Sequence, residues 1–404
     1  MWRIAGFRSV KENIFKRSTI IGTMCLAACA TLVSFPALAE DVPVEIPARH
    51  DGVEGPGPLK GIPATGTWLD RITLSGVIEV EAAYEKRDFA DESLEDEDAS
   101  DLSLATMELC IDAAVTEYVS GHILFHYEDD EDVSVDEAFV TLGGSDKFPL
   151  YLKAGKRDVP FGNFSSNMIS DPLTLEVGET RETAVEIGIR QHGFYGALYA
   201  FNGDNDLEGK ENHIDSFGAA AGYVYEKDSF SLDVGVGYIN NIYDSDVLTD
   251  MTIARREEAE ALGYSVSLKD QVPGMTAYAV MNAGPFRLIG EYVAMLEDPK
   301  FELSDVVPGT LASLGLGNTA KADGFKAWNV EIGYTFSLAG KETTAGMAYQ
   351  GVTDGEEAFP ERRIMGVVSM GILEHTTFSL EYLHDRFEND DKRNQVTAQL
   401  ALEF

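Results

Sequence analysis

From Arg71 onward the chain alternates apolar and polar residues with a period of two. Ile72, Leu74, Gly76, Ile78, Val80, Ala82 and Tyr84 fall on one face, and Arg71, Thr73, Ser75, Glu79 and Glu81 on the other. The pattern returns at Met107, Leu109, Ile111, Ala113 and Val115 against Glu108, Cys110 and Asp112. It returns again at Val330, Ile332, Tyr334 and Phe336 against Asn329, Glu331, Gly333 and Thr335. A period of two marks strands, whereas a helix would repeat every 3.6 residues. Strands with one oily and one wet face are what a transmembrane barrel needs, with lipid outside and water inside. The expected fold is all-β: a transmembrane antiparallel β-barrel of about sixteen strands, the first near 71–85 and the last near 394–404. An even count suits a single chain that closes antiparallel.

The connections carry a second signal. Odd-numbered ones are the longer, at 86–101, 129–132, 158–182, 203–213, 241–271, 297–324, 353–362 and 387–393, with 129–132 the shortest. Even-numbered ones are tight, around Ser120-Gly121, Gly143-Gly144, Gly193, Lys227-Asp228, Asn282-Ala283-Gly284, Ala339-Gly340 and Glu374. Outer-membrane barrels keep periplasmic turns short and extracellular loops long. The soluble rival, a β-sandwich, should show fewer strands joined as a Greek key. The last strand places Val396, Ala398, Leu400, Leu402 and Phe404 on one face and ends on an aromatic residue. That ending is similar to the signal read by the barrel-assembly machinery.

The N-terminus reads as an export signal over 1–39. Arg3, Arg8, Lys11, Lys16 and Arg17 precede an apolar run from Thr19 to Phe35, which ends at Ala37-Leu38-Ala39. The rivals are an uncleaved helix and a lipoprotein cut before Cys29. Residues 40–70, with Gly55-Pro56-Gly57-Pro58, read as a Pro/Gly-rich periplasmic arm, and 71–404 as the barrel. Cleavage would leave 26 basic and 68 acidic residues, a net charge of −42, with Cys110 as the one remaining cysteine. No intramolecular disulfide is then expected. The expected location is the Gram-negative outer membrane.

The 404 residues carry 69 acidic and 31 basic side chains, a net charge of −38. Such acidity excludes nucleic acid as a partner, since nothing would neutralise the phosphates. The chain has no P-loop, dinucleotide fingerprint, HExxH or nucleophile elbow. The expectation is therefore no catalytic residue, no cofactor, no metal and no enzymatic role. His122 and His126 share a strand face about 13 Å apart, too far for one metal ion. Cys110 reads as a small inert side chain. Acidic runs at 91–98, 128–132 and 385–391 read as solvated charge; the rival is divalent-cation bridging to lipopolysaccharide.

The third long connection is the richest in chemistry. Lys156, Arg157, Arg181 and Arg190 lie in or beside it, as do Asp171, Glu176 and Glu179, with Pro160, Gly162 and Pro172 shaping the backbone. Folded inward, these residues would narrow the channel and set a transverse field. The plain alternative is a surface loop capped by ion pairs. The run from Gly155 through Pro160-Phe161-Gly162-Asn163 to Ser170-Asp171-Pro172-Leu173-Thr174-Leu175 and Gly178-Glu179-Thr180-Arg181-Glu182 resembles the signature stretch of the LbtU-type siderophore porin family of Legionella. The resemblance implies a sixteen-stranded barrel and ferric-siderophore uptake, although that family's N-terminal coiled-coil heptads are missing here. The expected function is passive or facilitated uptake of small solutes through an outer-membrane porin-like channel. An adhesin or a barrel enzyme is the alternative. Expected partners are the lipid bilayer and lipopolysaccharide, the barrel-assembly machinery, a small-molecule solute such as a ferric siderophore and, by analogy with porins of this size, two further copies in a homotrimer.

Overall fold

The computed structural model describes residues 71–404 except 130, 146–147, 206–212 and 356–357. The export signal and the arm expected over 1–70 lie outside the described residues. Sixteen strands form one closed antiparallel barrel. Its first nine strands are β1 (Ile72–Asp88), β2 (Glu97–Thr116), β3 (Val119–Tyr127), β4 (Ser134–Ser145), β5 (Phe148–Asp158), β6 (Arg181–Gln191), β7 (Phe194–Phe201), β8 (Ser216–Lys227) and β9 (Phe230–Ile239). The chain leaves the barrel for β10 (Tyr264–Leu268) and returns as β11 (Gly274–Ala283) and β12 (Phe286–Met295). It leaves again for β13 (Lys300–Asp305) and β14 (Thr319–Lys321). β15 (Lys326–Leu338), β16 (Lys341–Thr353), β17 (Arg362–Leu373), β18 (Thr376–Arg386) and β19 (Lys392–Glu403) complete the ring.

Closure occurs between β1 and β19. Val77 pairs with Glu403 and Asp88 with Lys392, and the Gly76 and Phe404 backbones exchange two hydrogen bonds of 3.0 Å. A Cβ on residue 76 would stand 2.7 Å from the Phe404 ring, so glycine there leaves room for the terminal aromatic. Val396, Leu400, Leu402 and Phe404, the residues expected to signal assembly, are exposed on the outer face, and Ala398 shares that face by alternation.

Alternation sorts the two faces as the pattern requires. Val330, Leu198 and Met347 stand 58%, 67% and 64% exposed on the outer face, while Glu331, Tyr199 and Ala348 beside them point inward and are buried. Outer-face aromatics collect near both rims. Phe194 meets Tyr223 at 4.6 Å and Phe286 meets Tyr334 at 5.0 Å near the short turns; Trp328 meets Tyr349 at 4.7 Å near the long loops. Such girdles sit at the two membrane–water boundaries.

Short and long connections alternate as expected. Two-residue turns join β2–β3, β6–β7, β8–β9, β11–β12, β15–β16 and β17–β18. His192-Gly193 and Ala339-Gly340 take φ of 55° and 82°, and of 54° and 79°, the positive pair of a type I′ hairpin turn. Two expected turn positions need correction. Ser120-Gly121 lies inside β3, and Gly143-Gly144 lies inside β4, where the register slips. Two of the long connections, 241–271 and 297–324, hold structure of their own: α2 (Asp246–Ala261) and a three-stranded sheet ordered β10-β13-β14. A short helix, α3 (Thr310–Leu314), follows β13. These elements form a cap over the long-loop rim.

The outward parity is directly testable. Val330→Arg places a cation in the lipid-facing band and should cost about 2–4 kcal/mol, read as a lowered melting temperature of the heat-modifiable folded band. Gln395→Lys, on the inner face beside Glu85, should leave that temperature unchanged.

Candidate channel constriction

The segment between β5 and β6 does not loop out into solvent. It turns back inside the barrel and runs along the inner wall from β9 to β18. Its end is α1 (Leu173–Gly178). Phe161 lies against β9, where a Cβ on Gly237 would stand 1.9 Å from the Phe161 carbonyl oxygen. Only glycine permits that approach.

Beyond Gly162 the backbone is held by acids that project inward from the far strands. The Asn163 and Phe164 amides donate to Glu291 of β12 at 2.9 and 2.8 Å. The Ser166 hydroxyl and the Asn167 amide donate to Glu331 of β15 at 2.9 and 2.6 Å. The Ile169 amide and the Ser170 hydroxyl donate to Glu381 of β18, both at 2.6 Å. The Leu173 amide donates to the Gln350 side-chain oxygen of β16 at 2.8 Å. Four wall side chains thus satisfy a backbone that has left its own sheet, which an irregular segment at this depth requires. Apolar contacts add to the hold. Phe161, Leu173 and Val177 pack in one cluster with Ile239, Val293 and Val352 of the wall, and Met168 and Ile169 in a second with Met365 and Leu383.

The cap rests on this segment. Leu248 of α2, Leu268 of β10 and Phe301 of β13 belong to the same cluster as Phe161 and Leu173. The Asp246 amide donates to the Glu179 carbonyl at 3.0 Å, and the Arg181 amide donates to the Asp246 carboxylate at 3.0 Å. Nearby Asp244 accepts from the Ser216 hydroxyl at 2.6 Å and the Asn205 amide at 3.2 Å. Burial pushes the Asp244 carboxyl up to about 6 against these bonds, and burial raises Asp246 as well, with Arg181 opposing.

The seven charged residues expected at a constriction scatter. Lys156 needs correction: it alternates outward from Arg157, and its ammonium caps the Val135 carbonyl at 3.0 Å. Arg157 points inward and meets Glu186 at 2.7 Å. Arg181 meets Asp158 at 2.8 Å, Asp136 at 3.0 Å and Glu179 at 3.6 Å. Glu176 meets Arg363 of β17 at 3.0 Å, and the same guanidinium donates to the Asp171 carbonyl at 3.2 Å. Arg190 lies in β6 opposite Tyr195, eight residues beyond Glu182 towards the short-turn rim, away from the others. Most of these charges are therefore matched locally rather than facing one another across open water.

Several residues went unread in the sequence. Glu291, Gln350, Arg363 and Glu381 act from distant strands, and Glu331 was visible only as one polar position among many. Their signal was a charged or amide side chain on the inner parity of a strand. Asp385, which the sequence pattern assigns to an acidic loop run, lies inside β18, fully buried, bonded to Arg363 at 2.9 Å and to Arg393. Asp136 turns inward because a register shift lets two successive residues, Asp136 and Glu137, bury on the inner side. His122 contacts Asp112 at 2.8 Å and Glu137 at 3.2 Å within the lumen wall.

This architecture defines the class: a porin-type outer-membrane β-barrel with an inward-folded third long connection. DcaP, an outer-membrane channel of Acinetobacter baumannii, superposes with a TM-score of 0.54 at 14% identity, covering 82% of this chain and 97% of that one. OprB of Pseudomonas putida gives 0.55 at 8% identity, covering 83% and 95%. Salmonella typhi OmpF gives 0.51 at 12% identity, covering 82% and 97%. At these identities the likeness is one of fold. In sequence, the chain is similar to a UPF0422 protein of Coxiella burnetii, 29% identical over 278 residues, 66% of this chain and 55% of that protein. It is also similar to the UPF0422 protein lpg2959 of Legionella pneumophila, 26% identical over 303 residues, 70% of this chain and 54% of that protein. The chain spans about half the length of the curated relatives it matches. No family model matches.

Two outcomes follow. Charge-assisted hydrogen bonds contribute about 1.5–3 kcal/mol each, so Glu331→Ala with Glu381→Ala should speed amide exchange of residues 163–170 more than tenfold while the barrel strands keep their protection. For the cap, an acid whose folded pKa is raised favours the protonated, docked state. Docking is then strongest at and below the ordinary Asp value of 3.8 and weakens as pH rises through about 6, with the raised Asp246 extending the loss upward. Exchange of residues 246–261, corrected for intrinsic chemistry, should show more opening at pH 7.5 than at pH 5, and Asp244→Asn should reduce the difference, leaving the share due to Asp246.

Proposed function

We propose that the chain is a passive, porin-like channel of the Gram-negative outer membrane, passing small solutes through a lumen whose width is set by residues 159–180. The observation that carries this reading is the row of bonds from those residues to Glu291, Glu331, Gln350 and Glu381. A segment fixed to one wall leaves the rest of the cross-section to water and solute, and a fixed constriction filters by size. Residues 1–39 serve as the cleaved export signal and 40–70 as a periplasmic arm. The strand ending at Phe404 is read by the assembly machinery. Lipid and lipopolysaccharide cover the outer face, and three copies associate as in other porins of this size.

Ferric-siderophore uptake is the second reading. It is favoured by the stretch from Gly155 to Glu182, whose likeness to siderophore porins falls on the segment that lines the lumen. It predicts saturable binding of a ferric chelate and poor growth of a deletion strain in low iron.

Single-channel recording of the refolded full chain in planar bilayers tests the first reading. Stepwise ohmic conductance is expected, with larger steps in Glu331→Ala/Glu381→Ala. Heat-modifiable, well-folded protein that never conducts overturns it.

A further inference from the structure

The constriction segment takes up the acids of one wall and leaves those of the other. Glu291, Glu331 and Glu381 bond the segment; Glu186 meets Arg157; Asp385 meets Arg363 and Arg393. On β1–β3 the pattern differs. Glu79 of β1 and Glu108 of β2 are diagonal neighbours on the inner face, since Val77 pairs with Glu108 and Glu79 with Thr106. Glu108 pairs in turn with His126 of β3, and Glu128 follows two residues later on the same face.

All three glutamates are nine-tenths buried or more, at 3%, 9% and 4% exposed for Glu79, Glu108 and Glu128. One carboxylate oxygen of Glu79 and one of Glu128 have no hydrogen-bond partner. Among the described residues, Glu108 makes no hydrogen bond and no ion pair. The attraction that reaches it comes from Arg181, a guanidinium already bound by Asp136 and Asp158. The base near Glu128 is His126, at 3.4 Å. Buried carboxylates without partners are costly, and a cation bearing hydrogen-bond donors removes the cost.

We propose that Glu79, Glu108 and Glu128 form a subsite for the cationic head of a permeating solute, an ammonium or guanidinium group. The inference rests on the channel reading and adds its substrate class. The subsite lies on the inner face of β1–β3, away from the segment's bonds to β12–β18. A bare metal ion is the poorer occupant, because no group of three or more His, Cys, Asp or Glu converges at metal-binding geometry among the described residues. Diagonal neighbours on adjacent strands stand about 7–8 Å apart at the backbone, a gap across which flexible glutamate side chains can lean towards the N–H donors of one planar or tetrahedral head. Cations would also partition into this acidic wall ahead of anions.

The test uses the refolded full chain in planar bilayers with L-argininamide as the probe. Its expected effect is concentration-dependent, voltage-dependent interruption of the potassium chloride current, with glutamate and glucose giving none. Glu79→Gln/Glu108→Gln/Glu128→Gln should shorten the interruptions by about tenfold or more while heat-modifiable folding is kept; Glu108→Gln alone should shorten them by less. Interruptions equally long in the triple variant overturn the subsite, as does a conducting wild type that argininamide never interrupts. A wild type that never conducts would overturn the channel reading instead. The subsite is then decided by titrating argininamide, and separately calcium, onto the detergent-solubilised chain. Argininamide binding lost in the triple variant supports the proposal; no argininamide binding, or binding of calcium alone, overturns it.

Discussion

In hydrocarbon a backbone amide without a partner has no water to turn to, and this constraint governs the whole molecule. It forbids a free sheet edge, so β1 must meet β19, and the Gly76–Phe404 bonds complete the seam. It also explains where irregular backbone is allowed. The constriction segment sits at membrane depth, yet its amides are satisfied by carboxylates that the barrel wall projects inward.

Those carboxylates do two things at once. Each is a buried acid that would be unstable alone, and each acts as the acceptor that stabilises an irregular stretch of chain. The exchange is reciprocal: the segment desolvates Glu291, Glu331 and Glu381, and its N–H donors repay that desolvation. Arg363 extends the arrangement by holding Glu176 of α1 on one side and Asp385 of β18 on the other. The lumen is thereby divided. One wall is neutralised and covered, and the wall of β1–β3 keeps acids with unpaired oxygens.

The cap shows how a hydrophobic core arises in a barrel protein whose interior is polar. The cluster that joins Phe161 and Leu173 to Leu248, Leu268 and Phe301 lies at the long-loop rim, where β9, β12 and β16 contribute Ile239, Val293 and Val352. Loops that would otherwise be free in solvent gain a buried face there. Their tie to the segment runs through Asp246, Glu179 and Arg181, so cap and constriction are mechanically joined.

The sequence by itself determined the barrel. A period of two is a local property, legible because each side chain reports which solvent it faces, and sixteen such runs with alternating short and long links leave one closed arrangement. The same parity that sets Glu331 inward would have placed Lys156 outward and Glu381 and Asp385 inward had it been carried through each strand. The tertiary structure alone decided the rest. Partnerships such as Ser170 with Glu381 join residues more than two hundred positions apart, and no local rule selects one inward acid among many. Where the sheet slips register, as at Asp136, parity fails because two successive residues turn the same way. The helix and small sheet of the cap were illegible for a related reason: their apolar faces are covered by other loops and by the constriction segment, so no single stretch carries a complete amphipathic record of them.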